Sequence, residues 1–268
     1  MLTGAGTGMR DLAWIRQHLP EDGTVQVADL SSAYCGLGVW GPRARELLQA
    51  ACGEPMDGAA FPFLTARFIH LGEIPSLAVR ISYVGESGWE LYAPTEFGLH
   101  LWDTLMRHGE PLGIAPGGLG AFDSLRLEKG YRLWGPDINT EHDPFSAGLG
   151  FTVRLGKGPF LGREALQRIK ARGLERKLCC LTLDDARAVV LGKEPICSGS
   201  DGSTLGFVTS ANYGYSVGRF IAYGYLPKSH AAVGTQVAIE YFGERHGATV
   251  AEEPLYDPKN LRLKDFSI

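Results

Sequence analysis

Long apolar runs are missing from this sequence. No stretch approaches the roughly 18 to 20 consecutive apolar residues that a helix needs to cross a bilayer, so a membrane partner is not expected. Cysteine is sparse: five in 268 residues, odd in number, without metal-ligand spacing, and with Cys179 and Cys180 adjacent. Free thiols in a reducing compartment are expected. The opening Met1-Leu-Thr-Gly-Ala-Gly-Thr-Gly8 lacks a basic leader followed by an apolar core, so no signal peptide is expected and the cytoplasm is the expected location. Basic residues do not cluster. With 26 Lys and Arg against 30 Asp and Glu, the formal charge is −4, and no stripe of cations could track a phosphate backbone, so nucleic acid is not an expected partner. The HExxH pattern of zinc hydrolases and the GxSxG elbow of serine hydrolases are both absent. The glycines at 4, 6 and 8 are spaced GxGxG with three residues before them, and so lack the strand and spacing of a dinucleotide fingerprint. There is no internal repeat.

What is present is ordinary globular material, 44% hydrophobic and 21% charged, enough for one large or two medium domains. Apolar spacing and turn residues predict helices over 9–18, 43–51, 95–107 and 116–129. In the last of these Leu119, Phe122, Leu125 and Leu127 are expected inward, with Gly130 as the stop. Strands are expected over 25–28, 36–40, 61–71 and 78–84. A polar helix running to about Arg172 is expected as a connector, 161–175, between a first domain of residues 1–160 and a second of 176–268. From 177 onward short strands at 178–183, 205–210, 220–226, 236–241 and 248–251 alternate with Gly, Pro, Asn and Asp turns, the pattern of an antiparallel barrel or sandwich. The fold class is therefore α+β. The loop 131–144 carries Asp137, Glu141, His142 and Asp143, but their spacing matches no metal scheme and no metal is expected.

One stretch carries chemistry. Two β-prone runs flank Gly85-Glu-Ser-Gly88, which reads as a hairpin with a four-residue loop. In that register Val84 opposes Trp89, Tyr83 opposes Glu90, and Ile81 and Tyr92 share their face. A carboxylate in such a wall must be solvated or meet hydrogen-bond donors, because desolvating it alone costs several kcal/mol. A flat ligand with two adjacent N–H groups would suit it. The pattern alone leaves open that Glu90 points to water at a sheet edge.

Tyr83-Val-Gly-Glu-Ser-Gly-Trp-Glu90 resembles the folate-binding aminomethyltransferase family, the glycine-cleavage T-protein fold. The likeness continues through Asp123-Ser-Leu-Arg-Leu-Glu-Lys-Gly-Tyr-Arg132, Trp134-Gly-Pro-Asp137, Gly206-Phe-Val-Thr-Ser210 and Glu253-Pro-Leu-Tyr-Asp-Pro258. Trp134-Gly, Glu141-His-Asp-Pro144 and Tyr241-Phe-Gly243 are similar to the C-terminal region of bacterial dimethylglycine and sarcosine oxidases. The resemblance implies a T-protein-like domain lacking its N-terminal part, then a β-barrel. It implies tetrahydrofolate as cofactor, held by Tyr83 and Glu90, with the carboxylate on the N3–H and 2-amino fork of the pterin. The implied reaction takes a methylene unit from an aminomethyl or iminium donor and yields 5,10-methylenetetrahydrofolate and an amine. The implied partners are folate, a small amine or iminium donor, and a flavoprotein chain. The family's catalytic aspartate falls upstream of Met1, so the catalytic residue is unassigned, and whether the chain turns over alone is open. Phe122 stands where T-proteins carry a folate-contacting arginine. A non-catalytic folate-binding module, or a fragment of a flavin-dependent oxidase, is the alternative.

Overall fold

The computed structural model describes residues 1–264, whose packing divides into two compact units. The first comprises residues 1–81 and 88–114; the second comprises 82–87 and the chain from 115 onward. The division by packing thus falls at Ile114, upstream of the 161–175 connector.

The first unit begins with α1 (Gly8–Gln17), none of whose residues is buried. Residues 25–28 form no strand: Val25 is exposed, and a β-prone run without a partner to satisfy its amides stays irregular. Then come β1 (Tyr34–Trp40), α2 (Ala44–Ala51), β2 (Ala66–Leu71), β3 (Ile74–Val79), β4 (Gly88–Pro94) and α3 (Gly98–Gly109). The antiparallel sheet has the order β1-β4-β3-β2. Helix α2 buries Ala44, Leu47, Leu48 and Ala51, one helical face, and α3 buries Leu101 and Leu105. They join one core with Trp89, Leu91 and Ala93 of β4. Each large apolar side chain so buried contributes about 1.5–3 kcal/mol.

The alternation of β4 is therefore as expected, with Trp89, Leu91 and Ala93 inward and Glu90 and Tyr92 on the opposite face. The hairpin register is not. Val79, not Tyr83, opposes Glu90, and β3 ends there instead of reaching Val84. Arg80 is drawn off to residues 64–65, with its amide on the Thr65 carbonyl and its own carbonyl taking the Leu64 N–H. The connection to β4 is thus eight residues long, and Tyr83 belongs to the second unit.

The second unit contains α4 (Leu119–Glu128), α5 (Arg163–Arg172), and a closed antiparallel barrel. Its strands are β5 (Arg176–Leu183), β6 (Pro195–Ser198), β7 (Thr204–Gly214), β8 (Arg219–Pro227), β9 (Gln236–Tyr241) and β10 (Glu244–Ala251), in the order β10-β5-β8-β7-β6-β9; α6 (Leu261–Lys264) follows. Strand β6 was not foreseen. It bridges β7 and β9, and without it the barrel would be an open sheet. Gly224 lets β8 approach: a Cβ there would lie 2.3 Å from Ile196 Cδ1 and 2.8 Å from the Phe207 carbonyl. Gly173 ends α5 at φ 82°, as its position suggested.

Helix α4 keeps part of the expected facing, with Leu127 buried and Phe122 and Leu125 partly so. Leu119 is exposed, whereas Arg126 and Glu128 are buried along with Ser124 and Leu127. The helix packs on β7 and β8, and polar partners on the barrel receive its charges. Arg126 Nη1 donates to Asp137 Oδ2 at 2.6 Å, its Nη2 to Ser210 Oγ at 2.8 Å, and its Nε to Asp123 Oδ1 at 2.9 Å. Glu128 Oε1 accepts the Ser216 amide at 2.6 Å. All five cysteines are free.

Candidate functional site

On the first unit, the chemistry gathers on the sheet face away from the helices. Glu90 lies on β4, a central strand, so the sheet-edge alternative does not apply. Its cross-strand neighbours are Gly38 on β1 and Val79 on β3; those of Tyr92 are Gly36 and Leu77. Glu90 is half-buried, and the Tyr92 phenol donates to its Oε2 at 2.6 Å. Burial, and then that hydrogen bond, pushes the Tyr92 phenol up, so it remains a donor at neutral pH. Among the described residues no cation pairs with the Glu90 carboxylate and Oε1 accepts nothing. A half-buried carboxylate with spare lone pairs is an acceptor for paired N–H groups.

Two rings pave the same face. Glycines at 36 and 38 leave β1 bare there, and a Cβ on Gly36 would lie 3.1 Å from the Tyr92 ring. A Cβ on Gly38 would lie 1.9 Å from Trp40, so the indole lies across that residue. Trp40 Nε1 donates to the Ile81 carbonyl at 2.9 Å. Trp40 lies over the cross-strand partner of Glu90, a neighbour that the hairpin reading missed; the available signal was Gly-Leu-Gly-Val-Trp40, alternate positions of one strand left empty beside a large ring.

Tyr83, on the second unit, is engaged differently. Its ring lies nearly parallel to Phe122, with centroids 5.1 Å apart, and to Tyr131 at 5.6 Å. Its hydroxyl donates to the Arg132 carbonyl, and burial raises the phenol to about 12. Arg132 in turn holds Glu253 through two parallel bonds of 2.9 and 2.8 Å. The loop bearing Tyr83 is tied further by the Tyr256 hydroxyl donating to Glu86, while Lys129 Nζ donates to the Asp257 carbonyl at 2.6 Å.

The 131–144 loop is structural at its first acid: buried Asp137 accepts from Arg126 and from Thr209 at 2.6 Å. Glu141, His142 and Asp143 line a cavity of about 360 Å³ with Arg172 and Arg176, and the His142 ring stacks on Tyr225 at 4.1 Å. No group of three or more His, Cys, Asp and Glu side chains among the described residues could hold a metal ion. Nor is any described helix long and apolar enough to cross a membrane.

Comparison with known proteins bears on this geometry. Residues 1–157 match the model of the GCVT N-terminal domain, and residues 176–257 match that of the glycine cleavage T-protein C-terminal barrel domain. The chain belongs to the glycine cleavage T-protein family. Among its relatives in that family, the aminomethyltransferase of Symbiobacterium thermophilum is 36% identical over 266 residues, with 98% of this chain and 70% of that one covered. The mitochondrial dimethylglycine dehydrogenase of Homo sapiens is 38% identical over 268 residues, and the chain spans 31% of its length. The crystal structure of the glycine cleavage system aminomethyltransferase T from Bartonella henselae superposes with a TM-score of 0.84 at 28% identity, covering 95% of this chain and 68% of that one. The α+β fold with its closed barrel is thus that of the T-protein family, and the chain is an aminomethyltransferase-type domain related to dimethylglycine dehydrogenase.

Proposed function

We propose that the chain is a tetrahydrofolate-dependent one-carbon transfer domain, taking a methylene unit from an aminomethyl or iminium donor. The observation that supports this reading is Glu90: a half-buried carboxylate without a cationic partner among the described residues, beside the Tyr92 ring and across from Gly38 on the sheet face away from the helices. A reduced pterin fits it, because the N3–H and 2-amino group form a fork for two carboxylate oxygens, while Tyr92 uses one lone pair. The bound folate supplies the two amines between which the carbon is carried. The chain's part is to bind and orient, and orientation alone can account for a large share of the acceleration. Tyr83 is proposed separately as a folate contact; its hydroxyl proton is already given to the Arg132 carbonyl, so it offers a ring edge and an accepting lone pair. A separate flavoprotein that oxidises an N-methyl amine is the proposed source of the donor, since an iminium carbon stands at the oxidation level such an enzyme generates. The cytoplasm is the proposed location, in keeping with five free thiols.

Calorimetric titration with tetrahydrofolate tests the reading. The parent is expected to bind, and Glu90→Ala to bind at least about tenfold more weakly, since charge-assisted hydrogen bonds contribute about 1.5–3 kcal/mol each. Equal affinities, or no binding by the parent, would refute it. Tyr83→Leu is expected to weaken binding too, and unchanged affinity would remove Tyr83 as a folate contact without bearing on Glu90.

A further inference from the structure

We propose that the cavity lined by residues 150–157 and helix α5 is a binding site for a small organic phosphate, a monoester with an apolar or aromatic body. The cavity lies wholly within the second unit, and the proposal is independent of the Glu90 reading, so either can fail alone.

The cavity has a volume of about 500 Å³, inside the range of about 300–1,000 Å³ that small-molecule sites occupy. Its lining sorts by chemistry. Arg154, Lys157 and Lys170 bring three cations, Phe145, Val153 and Leu155 bring apolar surface, and no carboxylate is among the lining residues. The cations are not spent on one another's neighbours. Arg154 donates to the Phe151 carbonyl and Lys157 Nζ lies 4.8 Å from the centre of the Phe160 ring, but neither they nor Lys170 meets a carboxylate among the described residues. The one acid of α5, Glu164, faces Arg168 instead, at 4.0 Å. A concavity lined by one sign of charge focuses the field and gathers counter-ions, here on a chain whose net charge is −4.

Backbone contacts hold the frame. Arg163 Nε donates to the Leu155 carbonyl at 2.9 Å, which ties the loop to the helix that carries Lys170. The Lys157 amide closes a turn on the Arg154 carbonyl at 3.2 Å, so two of the cations leave the loop from one turn. Gly150 seats the aromatic wall, since a Cβ there would lie 3.0 Å from Phe145 Cδ1. These features select the ligand. A phosphate monoester carries close to two negative charges at neutral pH and three strong acceptor oxygens, which suits three separate cations. The arginine fork can take two of those oxygens side by side, and the lysines add point charges. The ester's body finds the apolar wall of Phe145, Val153 and Leu155.

Four probes titrated into the full chain test this, with binding read from amide NMR shifts: phenyl phosphate, phenyl sulfate, inorganic phosphate and citrate. Phenyl phosphate is expected to bind in the millimolar range, with its largest shifts at residues 150–157 and 170. It should bind at least about threefold tighter than phenyl sulfate, which has its shape and a single charge, and than inorganic phosphate, which lacks the ring. Lys170→Gln is expected to weaken phenyl phosphate about threefold, and Arg154→Gln with Lys157→Gln about tenfold. Gly156→Glu puts an anion where a Cβ meets open space, and should abolish binding without lowering the melting temperature. Phenyl sulfate or citrate binding as tightly as phenyl phosphate would overturn the phosphate assignment. No binding of phenyl phosphate, shifts centred elsewhere, or full affinity in Lys170→Gln and Gly156→Glu would overturn the site.

Discussion

Asp137→Ala offers the sharpest energetic test, because the carboxylate it removes is 1% exposed and its partner Arg126 is 2% exposed. The carboxylate accepts from Arg126 Nη1 and Thr209 Oγ1, each at 2.6 Å, and from the Leu133 amide at 2.9 Å. Its loss leaves a buried guanidinium with Asp123, at 2.8 Å, as its remaining anion. Breaking a buried pair from one side typically costs about 3–5 kcal/mol, because the orphaned charge stays desolvated. Against a total stability of about 5–15 kcal/mol, that is a large fraction. At about 2–4 °C per kcal/mol for a unit of this size, the barrel unit should melt about 6–20 °C lower. Asp137→Asn keeps the shape and an acceptor, and should cost about 1–3 kcal/mol. The paired replacement Arg126→Met with Asp137→Leu should recover most of the loss, since apolar groups of similar volume leave no charge unpaired. Urea and thermal unfolding, followed by near-ultraviolet circular dichroism, measure all three. An Asp137→Ala protein within about 1 kcal/mol of the parent, or a double variant no better than the single, would refute the reasoning.

Two further outcomes are expected. Leu48→Ala, at a fully buried position of α2, should destabilise the first unit by about 2–5 kcal/mol in urea unfolding; a loss under about 1 kcal/mol would mean the site collapses around the cavity. Stability should also fall on the alkaline side. Burial raises the Tyr83 and Tyr256 phenols from 10.0 to about 12, and so the folded chain holds protons that the unfolded chain releases. Their contribution is complete below pH 10 and is lost as pH climbs toward 12. Phenolate absorbance tracked with unfolding checks the sign, and a midpoint independent of pH over that range would contradict it.

Local patterns were readable where local physics decides. The alternation of β4 put Glu90 and Tyr92 on one face, the spacing of Leu47, Leu48 and Ala51 marked a helix, and the turn chemistry after residue 177 marked the barrel strands. What escaped was long-range. The glycines at 85 and 88 suggested a tight hairpin, but Tyr83 is held instead by Phe122, Tyr131 and the Arg132 carbonyl, partners remote in sequence. The buried charges of α4 are intelligible only once Ser210, 84 residues on, stands beside Arg126. Strand β6 has four residues, begins with proline and carries no alternation, so only its neighbours define it.

The tie between Glu86 and Tyr256 spans 170 positions. During synthesis the segment 82–87 therefore leaves the ribosome long before Tyr256 exists to fasten it at Glu86. The first unit, contiguous except for that segment, can assemble early; Tyr83 gains its partners with residues 122–132, and Glu86 gains its own only with nearly the last of the described residues. Until then the Glu86 end of the loop lacks its anchor, an interval in which a protease or chaperone has access that the finished fold withdraws.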